Sequence, residues 1–379
     1  MPSFDIAVVG GGIIGCSLAL ELAMRGKRVC LLEQNECCQE ASWAAAGMLV
    51  PQSETEEADI LFDWLCASRD MYPQWCQQIH RLSGTDPGFQ RSGTLSLIAA
   101  DLESQRRADQ IFRWQSERGL PVEKMSASRI RQLEPSLRFH HAGALYFPED
   151  HHVDNRALAR SLVRACEQAG VSIFCHHPAH GITVESHVSV SAGTEVFKAA
   201  QAVIATGAWS QRWQETFRCI IPVFPAKGEI IALKDFPLAS GHIVQGEGIY
   251  LVPRDRDFTL VGSTVDFGNF NKDPSAGGIA WLLDRALKLF PEGSRAKIVS
   301  AWGGLRPCTP DQLPVLGPIP AFPQVWVATG HYRNGILLAP ITGRCVADRM
   351  LGRPSSLSME AFSLERFQHD HERQSVRRV

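Results

Sequence analysis

The sequence has 379 residues, 45% hydrophobic and 21% charged, an ordinary globular balance in a chain long enough for two domains. Lysine plus arginine (38) nearly matches aspartate plus glutamate (40), so no strong field exists to attract nucleic acid or an anionic membrane. No apolar run approaches the roughly 20 residues needed to span a bilayer, and eleven scattered cysteines, an odd count, fit reduced thiols in the cytoplasm.

Met1 to Asp5 carry no basic leader and apolar core, so no secretory signal is expected. Phe4 to Val9 reads as a strand. Gly10, Gly11, Gly12 and Gly15 follow, then a helix from Ile13 to Arg25 that stops at Gly26, and a second strand from Arg28 to Leu32 that ends at Glu33. This strand–turn–helix–strand unit opens a parallel sheet. Thr94 to Ile98 looks like an antiparallel strand. Asp154 is placed to cap a helix through Ala169 that Gly170 ends, with a strand at Val171 to Phe174. In the run Cys175, His176, His177 and His180, Pro178 breaks the helical metal-ligand spacing, so the run reads as a surface loop and no metal is expected. Ala202 to Ala205 is an apolar strand ending in Thr206-Gly207. Glu229 to Leu233, Gly248 to Val252 and Phe258 to Ser263 alternate like antiparallel strands. Val325 to Ala328 is a further strand, before a glycine-rich turn and a helix from about Ile336 to Met350. The charged run from His369 to Arg378 reads as a solvated end. Two interleaved modules follow: a doubly wound nucleotide domain, and an antiparallel sheet inserted in two pieces.

Gly10-x-Gly12-x-x-Gly15 lies between strand and helix. Its first glycine permits the tight turn, its second lets the backbone approach a pyrophosphate, and its third lets helix and strand pack closely. The helix start offers free N–H groups to the phosphates, and Glu33 is placed to accept hydrogen bonds from an adenosine ribose. The alternative is a glycine turn needed only for packing. Ala41, Ser42, Ala44, Ala45, Ala46, Gly47 and Met48 would let backbone lie flat against a large ligand, or would merely start an alanine-rich helix. The turn Gly330, His331, Tyr332, Arg333, Asn334, Gly335, Ile336 precedes a helix whose N–H groups suit the negative charge of a reduced flavin, which a nicotinamide lacks.

The opening VVGGGIIG, the run AAAGML, and the segments IYLVPR, WGGLRPCTPD and GHYRNGILLAP together resemble the FAD-dependent D-amino-acid oxidase family over almost the whole chain, most closely its glycine-oxidising branch of thiamine biosynthesis. The resemblance implies an α/β and α+β architecture: a Rossmann-like FAD-binding domain with an inserted antiparallel-sheet substrate domain. The expected division is 1–87, 149–221 and 303–379 for FAD, and 88–148 and 222–302 for substrate. It implies FAD contacts at Ile13, Ile14, Glu33, Gln34, Ala41, Ser42, Ala46, Gly47 and Met48, at Ala179 near the adenine, and at His331, Tyr332, Arg333, Asn334, Gly335, Ile336 and Leu337 at the flavin end. Gly10, Gly12, Gly15, Gly207 and Gly330 complete the expected cofactor site. Substrate residues fall on Tyr250, Arg306 and Arg333. The chemistry agrees: a carboxylate beside an apolar flavin needs a two-pronged guanidinium, which lysine cannot supply. Arg306, in Gly-Gly-Leu-Arg-Pro, is expected in an uncrowded turn. Cys308 directly precedes Thr309-Pro310-Asp311, which is not the flavin-attaching position of the sarcosine-oxidase branch, so FAD is expected to be noncovalent. Gly248 and Val265 stand where the glycine-oxidising branch carries larger side chains, which predicts extra space beside the substrate. The implied reaction is oxidation of glycine, a small D-amino acid or N-methylglycine to an imine, with molecular oxygen giving hydrogen peroxide. A homo-oligomer is compatible with it. An amino-acid dehydrogenase reducing a quinone and the flavin module of a tRNA-modifying enzyme remain alternatives, and near-neutral charge argues against the second.

Overall fold

The computed structural model describes residues 3–138, 140–254 and 258–368, so the charged run from His369 to Arg378 lies outside the described residues. Phe4–Val9 is the central strand of the first sheet. It runs parallel to both Val29–Leu32 and Glu195–Ile204, with Val8 level with Leu31 and Val203. Alternate residues feed two cores: Ile6 and Val8 meet one layer, Ala7 and Val9 the other. Burial on both faces is why this strand reads as an unbroken apolar run. Ser172–Phe174 extends the parallel sheet, and Phe322–Thr329 pairs with the end of Glu195–Ile204.

The strand expected at Ala202 to Ala205 is the buried end of a longer one, Glu195–Ile204, whose first half alternates in and out of the core. That half joins the antiparallel strands Ala179–Val184 and Val188–Ala192. This meander and short helical turns cover one face of the sheet, and long helices cover the other. The sheet therefore departs from a doubly wound arrangement with helices on both faces. The helical face holds Ile13–Met24, Asn155–Gln168, Gly335–Met350 and a 22-residue helix, Phe62–Ser83. Asp154 caps Asn155–Gln168 as expected, accepting from the N–H groups of Arg156 (2.9 Å) and Ala157 (3.0 Å). Phe62–Ser83 is not evident in the sequence because Pro73 sits inside it. Its apolar stripe, Leu65, Tyr72, Cys76 and Ile79, nonetheless has helical spacing and is buried. Two of its polar groups bond the start of Gly335–Met350: Ser68 Oγ donates to the Leu337 carbonyl at 2.6 Å, and the Tyr72 hydroxyl to that of Ile336.

Among the described residues the second sheet has nine strands, ordered from Asp266–Phe267 through Phe224–Lys234, Phe258–Gly262, Ile249–Arg254, Ile243–Gly246, Thr94–Ile98 and Gly143–Phe147 to Glu123–Met125, with Lys297–Cys308 also on Phe224–Lys234. It is not wholly antiparallel, because Ile243–Gly246 and Thr94–Ile98 pair in parallel. Ile231, Leu233, Leu251 and Val261 pack under the helix Ala276–Leu289. The opposite face carries Ile230, Ala232, Tyr250, Val252 and Leu260, which cluster with Ala46 and Val50 from the segment that follows Val29–Leu32. Gly303 to Pro307 lies inside the strand Lys297–Cys308, which pairs with Phe224–Lys234 along its length, and is not the expected turn. The expected change of module at residue 303 therefore falls within a strand. Here glycine supplies clearance: a Cβ on Gly304 would stand 2.4 Å from the Ala44 Cβ, and one on Gly303 would stand 2.3 Å from the Lys272 carbonyl oxygen. No helix among the described residues is long and apolar enough to cross a membrane.

The helices Ile13–Met24 and Gly335–Met350 approach closely where Ser17 meets Gly343. Ser17 Oγ donates to the Ala339 carbonyl at 2.7 Å, and a Cβ on Gly343 would lie 2.7 Å from Ser17 Oγ and 3.1 Å from its backbone. Alanine is the better helix former by about 1 kcal/mol, but overpacking costs about 1–3 kcal/mol. Gly343→Ala is therefore expected to lower stability in urea unfolding. An unchanged or raised midpoint would show that the two helices separate freely.

Candidate active site

Residues from both sheets enclose a cavity of about 1610 Å³, open mouth included. At one end the three glycines do three different jobs. Gly10 has a φ of +109°, and a Cβ there would stand 2.5 Å from the Ala205 carbonyl oxygen. A Cβ on Gly15 would stand 2.0 Å from the Gly10 carbonyl oxygen, so this glycine closes helix onto strand behind the cavity wall. At Gly12 the nearest atom to a Cβ is Ser42 Oγ at 3.6 Å, so a ligand can reach the backbone there. Gly12 caps Ile13–Met24 without a side-chain hydrogen bond, and no acidic residue occupies the first turn. The helix start is thus left open to a negative group. The Ile13 N–H donates to Ser42 Oγ at 3.0 Å, leaving the Ser42 proton to serve as a donor.

Glu33 closes the second strand at the cavity wall beside Gln34. Its Oε2 accepts from the Gly11 N–H at 2.7 Å and its Oε1 from the Asn35 N–H at 3.0 Å. Each oxygen is fixed by one bond and keeps a lone pair for a ribose hydroxyl. Ala179 and Gly207 line the same end. So does Arg212, which the sequence did not single out and which donates to the Ala179 carbonyl. Ala41, Ser42, Ala46, Gly47 and Met48 line the middle. Ala41–Ala44 is one helical turn, and Gly47, at a φ of +67°, passes so close to the Val153 carbonyl oxygen that a Cβ would stand 2.1 Å away. Arg254 steadies this run by donating to the Ala46 carbonyl.

The other end is built by His331 to Leu337, all on the wall, while Gly330 stands behind it against Thr309. Asn334 caps Gly335–Met350 without a side-chain bond and no acid sits in its first turn, so a second helix start faces the cavity uncompensated. His331 is 2% exposed, and its Nε2 lies 3.1 Å from Thr342 Oγ1. Burial pushes its pKa down to about 3, so it stays neutral near neutral pH. Two open helix starts about one cavity, a carboxylate with free lone pairs at one end and a clear backbone between fit FAD.

Tyr250 and Arg306 project from the second sheet. Arg306 Nη2 donates to Ser263 Oγ at 2.6 Å and Nη1 to the Thr264 carbonyl at 3.4 Å, and no carboxylate among the described residues pairs with it. Its guanidinium lies over Gly228, where a Cβ would stand 2.1 Å from Nη2. Tyr250, 9% exposed, lies over its pairing partner Gly262, where a Cβ would stand 2.4 Å from the hydroxyl. Two glycines on neighbouring strands thus seat the two polar side chains. Isolated glycines within strand patterns are the signal that could have found them. Arg333 is differently placed: half-exposed, it pairs with Glu54 at 3.0 Å, and Glu54 holds its pKa above the usual value. Gly248 and Val265 do not line the cavity. Gly248 is exposed at a φ of +77°, with Trp281 beside it, and Val265 is 49% exposed. The extra space predicted from them has no basis in the fold. Cys308 is buried and off the cavity wall, although Leu305, Arg306 and Pro307 line it.

The run from Cys175 to His180 disperses its side chains: His176 meets Glu36 at 2.9 Å, while His177 and His180 turn to the carbonyls of Cys175 and Pro178. Elsewhere His140, His141 and Glu247 bring ligand-type atoms within 4.8 Å, but Arg285 pairs with Glu247 at 3.3 Å.

The family described as FAD dependent oxidoreductase matches residues 5–349. The chain is similar to glycine oxidase of Geobacillus kaustophilus, at 36% identity over 96% of this chain and 97% of that one. It is also similar to glycine oxidase of Pseudomonas aeruginosa, at 33% over 92% and 95%. It spans about half of the bifunctional protein ThiO/ThiG of Trichormus variabilis, at 35% identity over 96% of this chain and 55% of that one. The crystal structure of the Geobacillus glycine oxidase superposes with a TM-score of 0.92 over 96% of this chain and 99% of that one, at 35% identity.

Two outcomes are expected. Gly228→Ala drives a methyl group into the Arg306 guanidinium. The protein should stay yellow while binding a small carboxylate at least tenfold more weakly, read from the flavin absorbance, since displacement by about 1 Å can cost a hundredfold in a positioned site. Unchanged affinity would show that Gly228 does not seat Arg306. Second, His331 keeps a folded pKa of about 3 against an unfolded value of about 6.5. Its contribution is complete above 6.5 and fades as pH falls toward 3, because only the unfolded chain takes the proton. The stability gap between the protein and His331→Asn, from urea unfolding, should narrow below pH 6.5 by up to about 1.4 kcal/mol per pH unit. A gap constant down to pH 4.5 would contradict this.

Proposed function

The chain belongs to the FAD dependent oxidoreductase family, and on that premise we propose that it oxidises glycine with molecular oxygen, giving hydrogen peroxide and an imine that water converts to glyoxylate and ammonia. The observation that carries this reading is Arg306: a partly buried guanidinium on the cavity wall, fixed by Ser263 and Thr264 and left without a carboxylate partner among the described residues. Bound FAD supplies two-electron acceptance from the substrate carbon, with oxygen taking the electrons onward. The remaining work belongs to side chains. Arg306 receives the substrate carboxylate through two charge-assisted hydrogen bonds. The Tyr250 hydroxyl adds a donor to it. Ile230, Met48 and the ring of Tyr250 give that wall an apolar lining that excludes water and strengthens both interactions. Arg333, held at the mouth by Glu54, completes the substrate residues. Positioning by these groups supplies the rate enhancement, and no strong side-chain base is required.

The names of the relatives support glycine as the substrate. With Gly248 and Val265 away from the cavity, small D-amino acids and N-methylglycine become secondary substrates. FAD is held without a covalent bond, since Cys308 does not reach the cavity. We place the enzyme in the cytoplasm, where its imine is available to a thiazole-forming partner of thiamine synthesis.

Purified yellow protein should release peroxide and glyoxylate from glycine and fail with L-alanine. Reduction of a quinone with no peroxide would favour a dehydrogenase instead. Arg306→Lys keeps the charge and loses the fork, and Arg306→Ala loses both. A desolvated charge partner is worth about 3 kcal/mol or more, so kcat/KM should fall about a hundredfold or more in the alanine variant and less in the lysine variant, with the flavin spectrum intact. Near-normal kinetics in Arg306→Ala would remove the assignment.

A further inference from the structure

We propose that Cys37 and Cys175 are a peroxide-oxidised thiol pair that closes to a disulfide beside the ribose-facing carboxylate of Glu33. The two sulfurs lie 3.9 Å apart, although 138 residues separate them in sequence. They sit on adjacent loops, one following Val29–Leu32 and the other following Ser172–Phe174. Backbone bonds already fasten those loops together: Glu33 N–H to Phe174 O at 2.9 Å, His177 N–H to Glu33 O at 2.8 Å, and His176 N–H to Asn35 O at 3.2 Å. The frame around the pair is therefore fixed, and bonding distance is reached by small movements of two side chains. Cys175 is partly exposed and gives a small oxidant a way in, whereas Cys37 is 8% exposed. Three further thiols lie close by in the interior. Cys38 Sγ is 4.0 Å from Cys16 Sγ, and Cys166 Sγ bonds the Cys16 carbonyl. All three are buried, so Cys37–Cys175 is the member of the cluster that reaches solvent.

The two thiols differ in the way a reacting pair requires. Hydrogen bonding from Cys16 draws the Cys37 thiol below its ordinary pKa, whereas burial pushes that of Cys175 up. Cys37 is therefore the sulfur that attacks. Its thiolate displaces hydroxide from hydrogen peroxide and becomes a sulfenic acid. Cys175 then attacks that sulfur, its proton leaving with the second hydroxide as water. Two thiols lose two electrons in all, and one peroxide becomes two waters. Under the proposed function the oxidant is the enzyme's own product, and the inference rests on that reading for its supply of peroxide and for nothing else.

The site also touches the cofactor end. A Cβ on Gly11 would stand 2.7 Å from Cys37 Sγ, and the Gly11 N–H is the donor that fixes Glu33 Oε2. Closing the pair ties down the segment that carries Glu33.

The test treats reduced, FAD-loaded protein with excess hydrogen peroxide, then counts thiols in denaturant and maps the peptides without reduction. Two of the eleven thiols should be lost, with Cys37 joined to Cys175. Cys175→Ser should leave a sulfenic acid on Cys37, trapped by dimedone, and Cys37→Ser should keep all ten of its thiols. Eleven surviving thiols, a different pair, or the same loss in Cys37→Ser would overturn the proposal. A second arm supplies glycine and air in place of peroxide, with and without catalase. If added peroxide closes the pair and glycine does not, the site stands and the glycine reading fails.

Discussion

The cavity depends on one close contact, the seam where Ser17 of the first helix meets Ala339 and Gly343 of the last. The two helix starts that face the ligand are 322 residues apart in sequence, as Gly12-Ile13 and Asn334-Gly335. They share a cavity because the hydroxyl of Ser17 bonds the Ala339 carbonyl and Gly343 offers no side chain to hold the helices apart. Ser68 and Tyr72 then fix the last helix from its other side. On the proposed reading, a pyrophosphate at one helix start and a reduced ring at the other would both be anionic, and each would be favoured by an uncompensated helix dipole. Loosening this seam would alter the spacing of two charge sites at once.

Complementary logic governs the second sheet. There the polar groups are placed by removing bulk beneath them. Gly228 clears a seat for Arg306, and Gly262 clears one for Tyr250. The remaining positions of that face, among them Ile230, Val252 and Leu260, pack against the nucleotide-binding part and exclude water around the two side chains. Rigid strands hold such groups more accurately than loops do, and catalysis by positioning requires that accuracy.

The residues that act locally were legible in the sequence. Phe4 to Glu33 follows from an apolar run, a glycine motif and a helical stretch, and the helix after Gly335 follows from its own pattern. The helix Phe62–Ser83 was hidden because Pro73 reads as a breaker, although packing on Asn155–Gln168 and Gly335–Met350 more than offsets one missing hydrogen bond. Gly303 and Gly304 looked like a turn. Glycine signals either a turn or a close approach, and only the opposing atoms of Lys272 and Ala44 decide which. Gly248 and Val265 were misjudged for a related reason. Matching a family position does not determine which side of a strand or turn faces the ligand. Tyr250 and Arg306 were singled out through family likeness, since nothing in their own stretch of sequence separates them from a core aromatic and a surface cation, and the glycines that seat them, Gly262 and Gly228, lie on other strands.

The pairing of Glu54 with Arg333 has a consequence for how molecules enter. A lone guanidinium at the mouth would pull every small anion inward, and the arrival rate would then fall steeply with ionic strength. With Glu54 at 3.0 Å, the Arg333 charge is paired and its pull on small anions is weakened. A zwitterion has no net charge to be steered, so it forfeits nothing at such a doorway. A dicarboxylate, by contrast, gains no long-range attraction and meets the carboxylate of Glu54 on arrival. On the proposed reading, selectivity is divided between kinetics and thermodynamics: charge is paired at the rim during encounter, and shape and hydrogen bonding are judged afterward at Arg306.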